Sequence, residues 1–467
     1  MNQRYKYLLK NTGALTISNF ASKILVFLLV PLYTSVLTTE EYGIYDLIVS
    51  TISLLYPLLT LNIVDAVMRY SMDKDVKKEN IALIGIYYIG ISTIVVAIAI
   101  FICQLGGMFK AIEGIEGLIF LFYISYVLNQ YFIQLAKGLE KVSCMAVAGV
   151  LSTVVMLIGN IFFLLVFKWS LEGFLLANIM AQAIPVFYLA YKVEFIKTLK
   201  NARFERILNI QMLKYCVPLV FSTIGWWVNS ASDRYVVSFI CGISANGILS
   251  VAYKIPAIIN TVFGMFGQAW QISAIKEYGN KDTNDFYANS FSVINFMMCF
   301  GCSVLILLSK PLAKILYAKD FYLAWQYAPF LLISTVFNTA SGLIGPMLSA
   351  VKDSKAMAKS AVYGATVNVV LNIVLVYVIG VQGATIATVV AAFVIYHMRK
   401  KAIGTTLVIT DYFKIVVIWG LLIFQAILEI YTKIWFLELV ILLVIVIVNK
   451  ELVIKCVKTL VKTKEGK

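Results

Sequence analysis

The chain has 467 residues, of which 61% are hydrophobic and only 13% charged, and it carries a formal net charge of +15. Soluble domains use about 45–50% apolar and about 25% charged residues, so this composition excludes a soluble globular protein and indicates one that lives in a lipid bilayer.

The apolar residues come in runs of about 20, the length a helix needs at 1.5 Å per residue to cross a hydrocarbon core roughly 30 Å thick. Barrel strands would instead alternate apolar and polar over about ten residues, so the expected fold class is an all-α polytopic membrane protein. About fourteen transmembrane helices are expected. The first, 9–35, opens on basic residues like a signal peptide. Asn11, Asn19 and Lys23 interrupt it and no small-residue cleavage site follows, so it reads as a retained span. The second, 43–68, carries Asn62, Asp65 and, at its inner end, Arg69. Spans at 81–104, 117–136, 143–167 and 173–191 are uncharged. The seventh, 215–240, contains "WWVNSASDRYVVSFI" with Asp233 beside Arg234, and the eighth, 244–270, holds Lys254. Spans 288–309, 323–350, 361–379 and 383–398 precede a final pair at 414–430 and 434–449. Six of the seven cysteines lie in or beside spans, and Cys299 and Cys302 read as small apolar packing residues rather than a redox or metal pair.

Basic residues set the orientation. With the first connection external, 30 of the 39 Lys and Arg fall in cytoplasmic segments, 6 in external ones and 3 (Lys23, Arg234, Lys254) within spans. Both termini are then cytoplasmic, in a multi-pass protein of the cytoplasmic (inner) membrane. The heaviest basic clusters, 191–214, 399–402 and the tail 455–467, share that side, where anionic headgroups attract them. The positive charge is a topology signal, and nucleic acid is not an expected partner. External connections are short, the longest near 105–116 and 310–322, which leaves no room for a catalytic domain. The only histidine, His397, closes the twelfth span at the cytoplasmic face, and there is no Gly-rich phosphate loop, paired Cys/His set or triad. No catalytic residue, metal site or cofactor is expected, and the chain reads as a non-enzyme whose helices do the work.

An internal repeat relates the two halves. At an offset of 204, "TTEEYGIYDLI" (38–48) falls on "GISANGILSVA" (242–252), superposing Gly43 on Gly247. "GNIFFLLVF" (159–167) and "LNIVLVYVI" (371–379) correspond at 212. Six spans per copy is an even number, so the copies have the same orientation, as parallel repeats do in some transporters. The expected organisation is an N-lobe over 1–200 (spans one to six) and a C-lobe over 201–405 (spans seven to twelve). A two-helix addition over 406–454 and the basic tail complete the chain.

A charge at a helix centre costs about 2.5–3.5 kcal/mol on insertion scales and usually faces a cavity or a partner. Such charges stand well inside only spans one, two, seven and eight, which are repeat equivalents. Thr12, Thr16, Asn19 and Lys23 recur at steps of 4, 3 and 4 along one helical face, and Asn62, Asp65 and Arg69 at 3 and 4. Asp65 and Arg69 are an acid-first i,i+4 pair. Asn229 and Asp233 share a face, whereas Arg234 points about 100° away from Asp233 and must find its partner elsewhere. Two readings compete: these charges bridge within a lobe or snorkel to an interface, or they line a cavity between the lobes. The second gives an excess of cations, Lys23, Arg69, Arg234 and Lys254 against Asp65 and Asp233, suited to a phosphate or pyrophosphate headgroup.

The opening "LLKNTGALTISNFASKILVFLLVPLYTSVLTTEEYGIYDL", the segment "SASDRYVVSFICGISANGILSVAYK" and "NIVLVYVIGVQGATIAT" resemble the polysaccharide-biosynthesis branch of the MOP (MATE-like) superfamily, the Wzx-type O-antigen and capsule flippases. The resemblance spans the chain. It implies two six-helix bundles that move an undecaprenyl-diphosphate-linked oligosaccharide from the cytoplasmic to the outer leaflet by alternating access, with a glycan polymerase and glycosyltransferases as partners. By similarity to lipid II flippases, Lys23, Arg69, Arg234 and Lys254 are the headgroup candidates, and spans thirteen and fourteen form a groove for the lipid. Coupling to H⁺ or Na⁺ is implied too, with Asp65 and Asp233 as the available carboxylates and Asn19 and Asn229 as polar neighbours.

Three alternatives stay open. A lipid II flippase is closest. A MATE-type multidrug exporter would have twelve spans and an acidic cavity. A polytopic glycan polymerase or ligase would need a sizeable outer loop.

Overall fold

The computed structural model describes residues 25, 27–73, 75–106, 113–279, 282–404, 412–432 and 434–452, and among them every regular element is helical. The described residues hold twelve helical segments long and apolar enough to cross a membrane, and a shorter apolar helix, Trp435–Val448. These coincide with the second to fourteenth runs of the sequence; most of the first lies outside the described residues. The chain divides into two compact units, Met1–Ala231 and Ser232–Lys467.

The first unit contains α1 (Val30–Val36), α2 (Thr39–Leu59), α3 (Ile63–Ser71), α4 (Lys78–Leu105), α5 (Glu116–Gly138), α6 (Val142–Asn160), α7 (Leu171–Lys192), α8 (Phe195–Lys200) and most of α9 (Arg206–Cys241). The "TTEEYG" segment starts α2 with a capping box: Glu41 N–H donates to Thr38 Oγ1 and Thr38 N–H to Glu41 Oε2. Two amides that have no helical partner are thereby satisfied. α6 runs into a π-helical turn, Ile161–Val166, and packs along α7, which also lies on α5. Pro57 sits inside α2. Two residues after it the helix ends, and Leu61 and Asn62 both take positive φ, +52° and +54°. The second span is therefore not one helix over 43–68 but α2, a left-handed break, and α3.

The second unit contains the end of α9, α10 (Ile243–Ala252), α11 (Lys254–Glu277), α12 (Thr283–Leu307), α13 (Ser309–Leu316), a 3₁₀ segment (Lys319–Gln326), α14 (Ala328–Ala350), α15 (Ser354–Ile379), α16 (Val381–Ile403), α17 (Tyr412–Tyr431) and α18 (Trp435–Val448). The eighth span is interrupted at Tyr253, just ahead of Pro256, whose ring cannot tolerate the carbonyl of a straight preceding turn. α14 is the hub, packed on α11, α12 and α16 and buried nearly all round. Four of its five Ser and Thr side chains, Thr339 excepted, bond their own backbone, as in Ser334 Oγ to the Leu331 carbonyl at 2.7 Å and Ser341 Oγ to that of Asn338 at 3.1 Å. The "VIGVQGAT" segment makes the α15–α16 hairpin. Gly380 lies at φ +67°, ψ −151°, a conformation essentially restricted to glycine. A Cβ on Gly383 would stand 2.3 Å from the Leu375 carbonyl oxygen, so only glycine lets the two helices approach so closely.

Candidate functional site

Asn19 and Lys23 lie outside the described residues, as do Thr12, Thr16 and the tail 455–467. The remaining site candidates fall in two places, one in each unit.

In the first unit, Asp65 and Arg69 do not pair as an i,i+4 couple. Arg69 Nη1 bonds Asp73 Oδ1 at 2.6 Å, while Asp65 Oδ2 accepts from Asn62 Nδ2 at 2.8 Å. Both lie on the unbroken α3, so the spacing holds and each side chain simply takes another partner. The break at Asn62 starts this helix, which puts Asp65 in the first turn of α3, where exposed amides favour a carboxylate, and Arg69 in the last turn, where carbonyls favour a cation. Arg69 is about half-exposed and held charged by Asp73, its hydrogen-bond and ion-pair partner. Asn229 is half-buried on the part of α9 that belongs to this unit.

In the second unit, Asp233 is buried at 4% exposure. Its Oδ1 accepts the backbone N–H of Arg234 at 3.0 Å and its Oδ2 accepts the hydroxyl of Tyr253. The Arg234 guanidinium lies over the Tyr253 ring, 5.8 Å from its centroid. The phenol stands at the α10–α11 interruption, so one side chain meets both members of the adjacent charge pair: its polar end meets the anion and its π-face the cation. Thr388 of α16 stands beside the same phenol, its own hydroxyl donating to the Ala384 carbonyl at 2.9 Å. Next to Asp233, Ser232 Oγ bonds Asn368 Oδ1 at 3.2 Å, and Asn372 Nδ2 donates to the same oxygen at 2.9 Å. Asn368 and Asn372 are both buried. Lys254 follows Tyr253 directly and is half-buried at the start of α11. The structure thus gathers Asp233, Arg234 and the base of Lys254 into one polar neighbourhood with Ser232, Tyr253, Asn368, Asn372 and Thr388. Sequence reasoning missed the last five. The signal it had was the pair of asparagines one turn apart in an otherwise apolar span.

A further buried charge cluster was also missed. α17 is tied to α12 and α13 by successive polar rungs. Trp419 Nε1 donates to Asn295 Oδ1 at 3.3 Å, Ser303 Oγ to Gln425 Oε1 at 2.7 Å, and Ser309 Oγ to Glu429 Oε1 at 2.7 Å. Lys310 Nζ pairs with Glu429 Oε2 at 3.2 Å. Glu438, in the first turn of α18, is buried at 1% exposure. Charges inside spans are therefore not confined to the four that sequence singled out. Among the described residues no cluster of His, Cys, Asp and Glu has the makings of a metal site.

The profile of the polysaccharide biosynthesis protein family matches residues 8–272, and that of the MatE family matches residues 218–378. No curated relative matches the sequence. Among solved structures, the chain is similar to "Lipid II flippase MurJ, inward closed conformation", with TM-score 0.70 and 16% identity over 94% of this chain and 99% of that one. It is similar to the inward-facing conformation of a multidrug resistance MATE family transporter of the MOP superfamily, with TM-score 0.66 and 16% identity over 84% and 95%. A MOP superfamily transporter from Pyrococcus furiosus, described as having a binding pocket of reverse polarity, gives TM-score 0.58 and 15% identity over 85% and 96%. At these identities the likeness is one of fold.

Proposed function

The chain belongs to the polysaccharide biosynthesis protein family of the MOP superfamily, and we propose that it is a flippase for a polyprenyl-diphosphate-linked oligosaccharide destined for a surface polysaccharide such as O-antigen, capsule or exopolysaccharide. It works by alternating access in the cytoplasmic membrane, both termini on the cytoplasmic side, with lobes over 1–200 and 201–405 and the α17–α18 pair holding the lipid. The observation that carries this reading is the family match over 8–272, a region that includes every cationic candidate, Lys23, Arg69, Arg234 and Lys254.

Within it the residues take separate roles. Lys23, Arg234 and Lys254 meet the diphosphate, since ammonium and guanidinium groups in a low-dielectric site bind phosphate oxygens by charge-assisted hydrogen bonds. Arg69, committed to Asp73 and half-exposed, serves the headgroup only at the point of entry. Asp233, held by the Arg234 backbone N–H and the Tyr253 hydroxyl and next in the chain to the Ser232–Asn368 bond, is the carboxylate for the coupling ion, H⁺ or Na⁺. Asp65, fixed by Asn62 at a helix start, is the weaker candidate. Glycosyltransferases would supply the substrate and a polymerase would consume it.

The test is surface glycan in cells that depend on this chain. Lys254→Ala and the Lys23→Ala, Lys254→Ala double variant are expected to lose surface glycan at least tenfold while remaining at wild-type amounts in the membrane. Full export by the double variant would defeat the cationic assignment. The MatE match over 218–378 favours a second reading, export of a cationic drug. That reading requires drug resistance to fall on deletion while glycan is unchanged.

A further inference from the structure

The Lys310–Glu429 contact would be complete as an ordinary ion pair: Glu429 has Ser309 on one carboxyl oxygen and Lys310 on the other, and Lys310 Nζ also donates to the Glu429 carbonyl at 2.8 Å. Lys310 stacks over the Trp325 ring, 4.5 Å from its centroid. Glu438 is one carboxyl too many for that purpose. It reaches the cluster from α18, beside the Glu429 carboxyl, and among the described residues its Oε2 is buried with no hydrogen-bond partner. Two carboxylates contain only acceptors, so neither can satisfy the other's buried oxygen unless one of them carries a proton, and two like charges side by side away from water do not readily ionise together. Charge counting agrees. Among the described residues, one Lys against two Glu leaves a net negative charge in a buried place, and one bound proton cancels it.

We propose that Glu429 and Glu438 form a proton-binding site, the pair holding a single shared proton with Lys310 as its counter-cation. The proton belongs to the pair rather than to either residue. On release it goes to water, and the pair is left with two negative charges beside one positive charge. Lys310 lies on the route out, since its side chain is 32% exposed while that of Glu429 is 5% exposed. The other titratable groups on the packed elements are Asp285, Tyr287, Cys299 and Cys302 on α12, Lys314 on α13, Lys319, Asp320 and Tyr322 on the 3₁₀ segment, and Lys414, Tyr412 and Tyr431 on α17. Among the described residues none of these bonds Glu429 or Glu438, and α18 carries no second charge. The site itself is independent of what the chain transports. The side it exchanges with, the external one, rests on the orientation proposed above.

The experiment uses the full chain in lipid nanodiscs and reads the infrared band of a protonated carboxyl as pH is raised. Wild type should show the band at neutral pH and lose it in alkali. Both Glu438→Gln and Glu429→Gln should remove it, because the remaining carboxylate is then neutralised by Lys310. Lys310→Met should keep the band to a pH higher by about 1–3 units, the size of a lost opposite charge. Melting provides a readout that does not depend on band assignment. A proton held only by the folded state makes stability fall as pH rises, so wild type should lose melting temperature in alkali and Glu438→Gln should not. The proposal is overturned if the band is missing at neutral pH, if it survives in both Gln variants, or if sodium replacing choline in alkali restores wild-type stability, since a metal cation would then be the ligand. Failure of this site leaves glycan export untouched as a readout, so the two proposals can fail separately.

Discussion

Exchanging Tyr253 for Phe takes from the buried Asp233 the hydroxyl that donates to its Oδ2, while leaving the aromatic face under Arg234 in place. A hydrogen bond to a buried charge is worth about 1.5–3 kcal/mol, so Tyr253→Phe should melt several degrees below wild type in detergent. Tyr253→Leu, which removes the cation's ring as well, should melt lower still. Equal melting of wild type and the Phe variant would show that the phenol does not hold the carboxylate. The separation of Asp233 and Arg234 onto different faces was legible in the sequence, because adjacent helical residues diverge by about 100°. The identity of the shared partner was not. Tyr253 is 20 residues away on another helix, and Asn368 is 136 residues distant from Ser232. Single-helix periodicity carries no information about such pairs. Glu429 and Glu438 escaped notice for a related reason: each stands near the end of its hydrophobic run, where a carboxylate reads as an interfacial group.

Helix limits were written in the hydropathy of the chain, since twenty apolar residues in a row have no alternative in lipid but to satisfy their backbone internally. The seventh span nevertheless starts at Arg206, nine positions before its hydrophobic run, because the polar segment "RILNIQMLK" continues the helix beyond the bilayer. The stop at Leu61 and Asn62 was hidden for the opposite reason: hydrophobicity continues through it, and only Pro57 upstream hinted at a discontinuity. Asp65 and Arg69 keep their i,i+4 spacing on α3, but Asn62 and Asp73 take the two side chains instead. Close helix approach depends on glycine in a way that composition does not reveal. Gly383→Ala drives a methyl into the Leu375 peptide, backbone that cannot rotate aside, and overpacking of this kind costs about 1–3 kcal/mol or more. Gly90→Ala in α4 meets nothing within 4 Å and removes a flexible position, so it should be neutral or stabilising by about 0.5–1 kcal/mol. Melting of the two variants should therefore move in opposite directions; a shared direction would refute the close-packing account of the hairpin.

For the molecule as a whole, the fold class and thirteen of the fourteen expected spans, twelve long helices and the shorter α18, followed from composition and run length, whereas the residues that act were only partly visible because action depends on which helices meet. Orientation was read from the bias of Lys and Arg. Reporter domains inserted at residues 110 and 315 should be active only outside the cytoplasm, and a cytoplasmic signal from either would invert the assignment. The burial of α14 has a consequence for synthesis rather than for transport. A helix covered on every side by α11, α12 and α16 has no face intended for lipid, yet the ribosome delivers it before α15 and α16 exist. Its Ser and Thr hydroxyls, Thr339 excepted, bond carbonyls of the same helix, which lets it cross alone at modest cost, but α15 and α16 arrive late. Nascent chains arrested after α14 should accordingly be extracted from membranes by alkaline carbonate more readily than chains arrested after α16. In that interval, between the emergence of one helix and the next, the second half of the protein is most exposed to quality control.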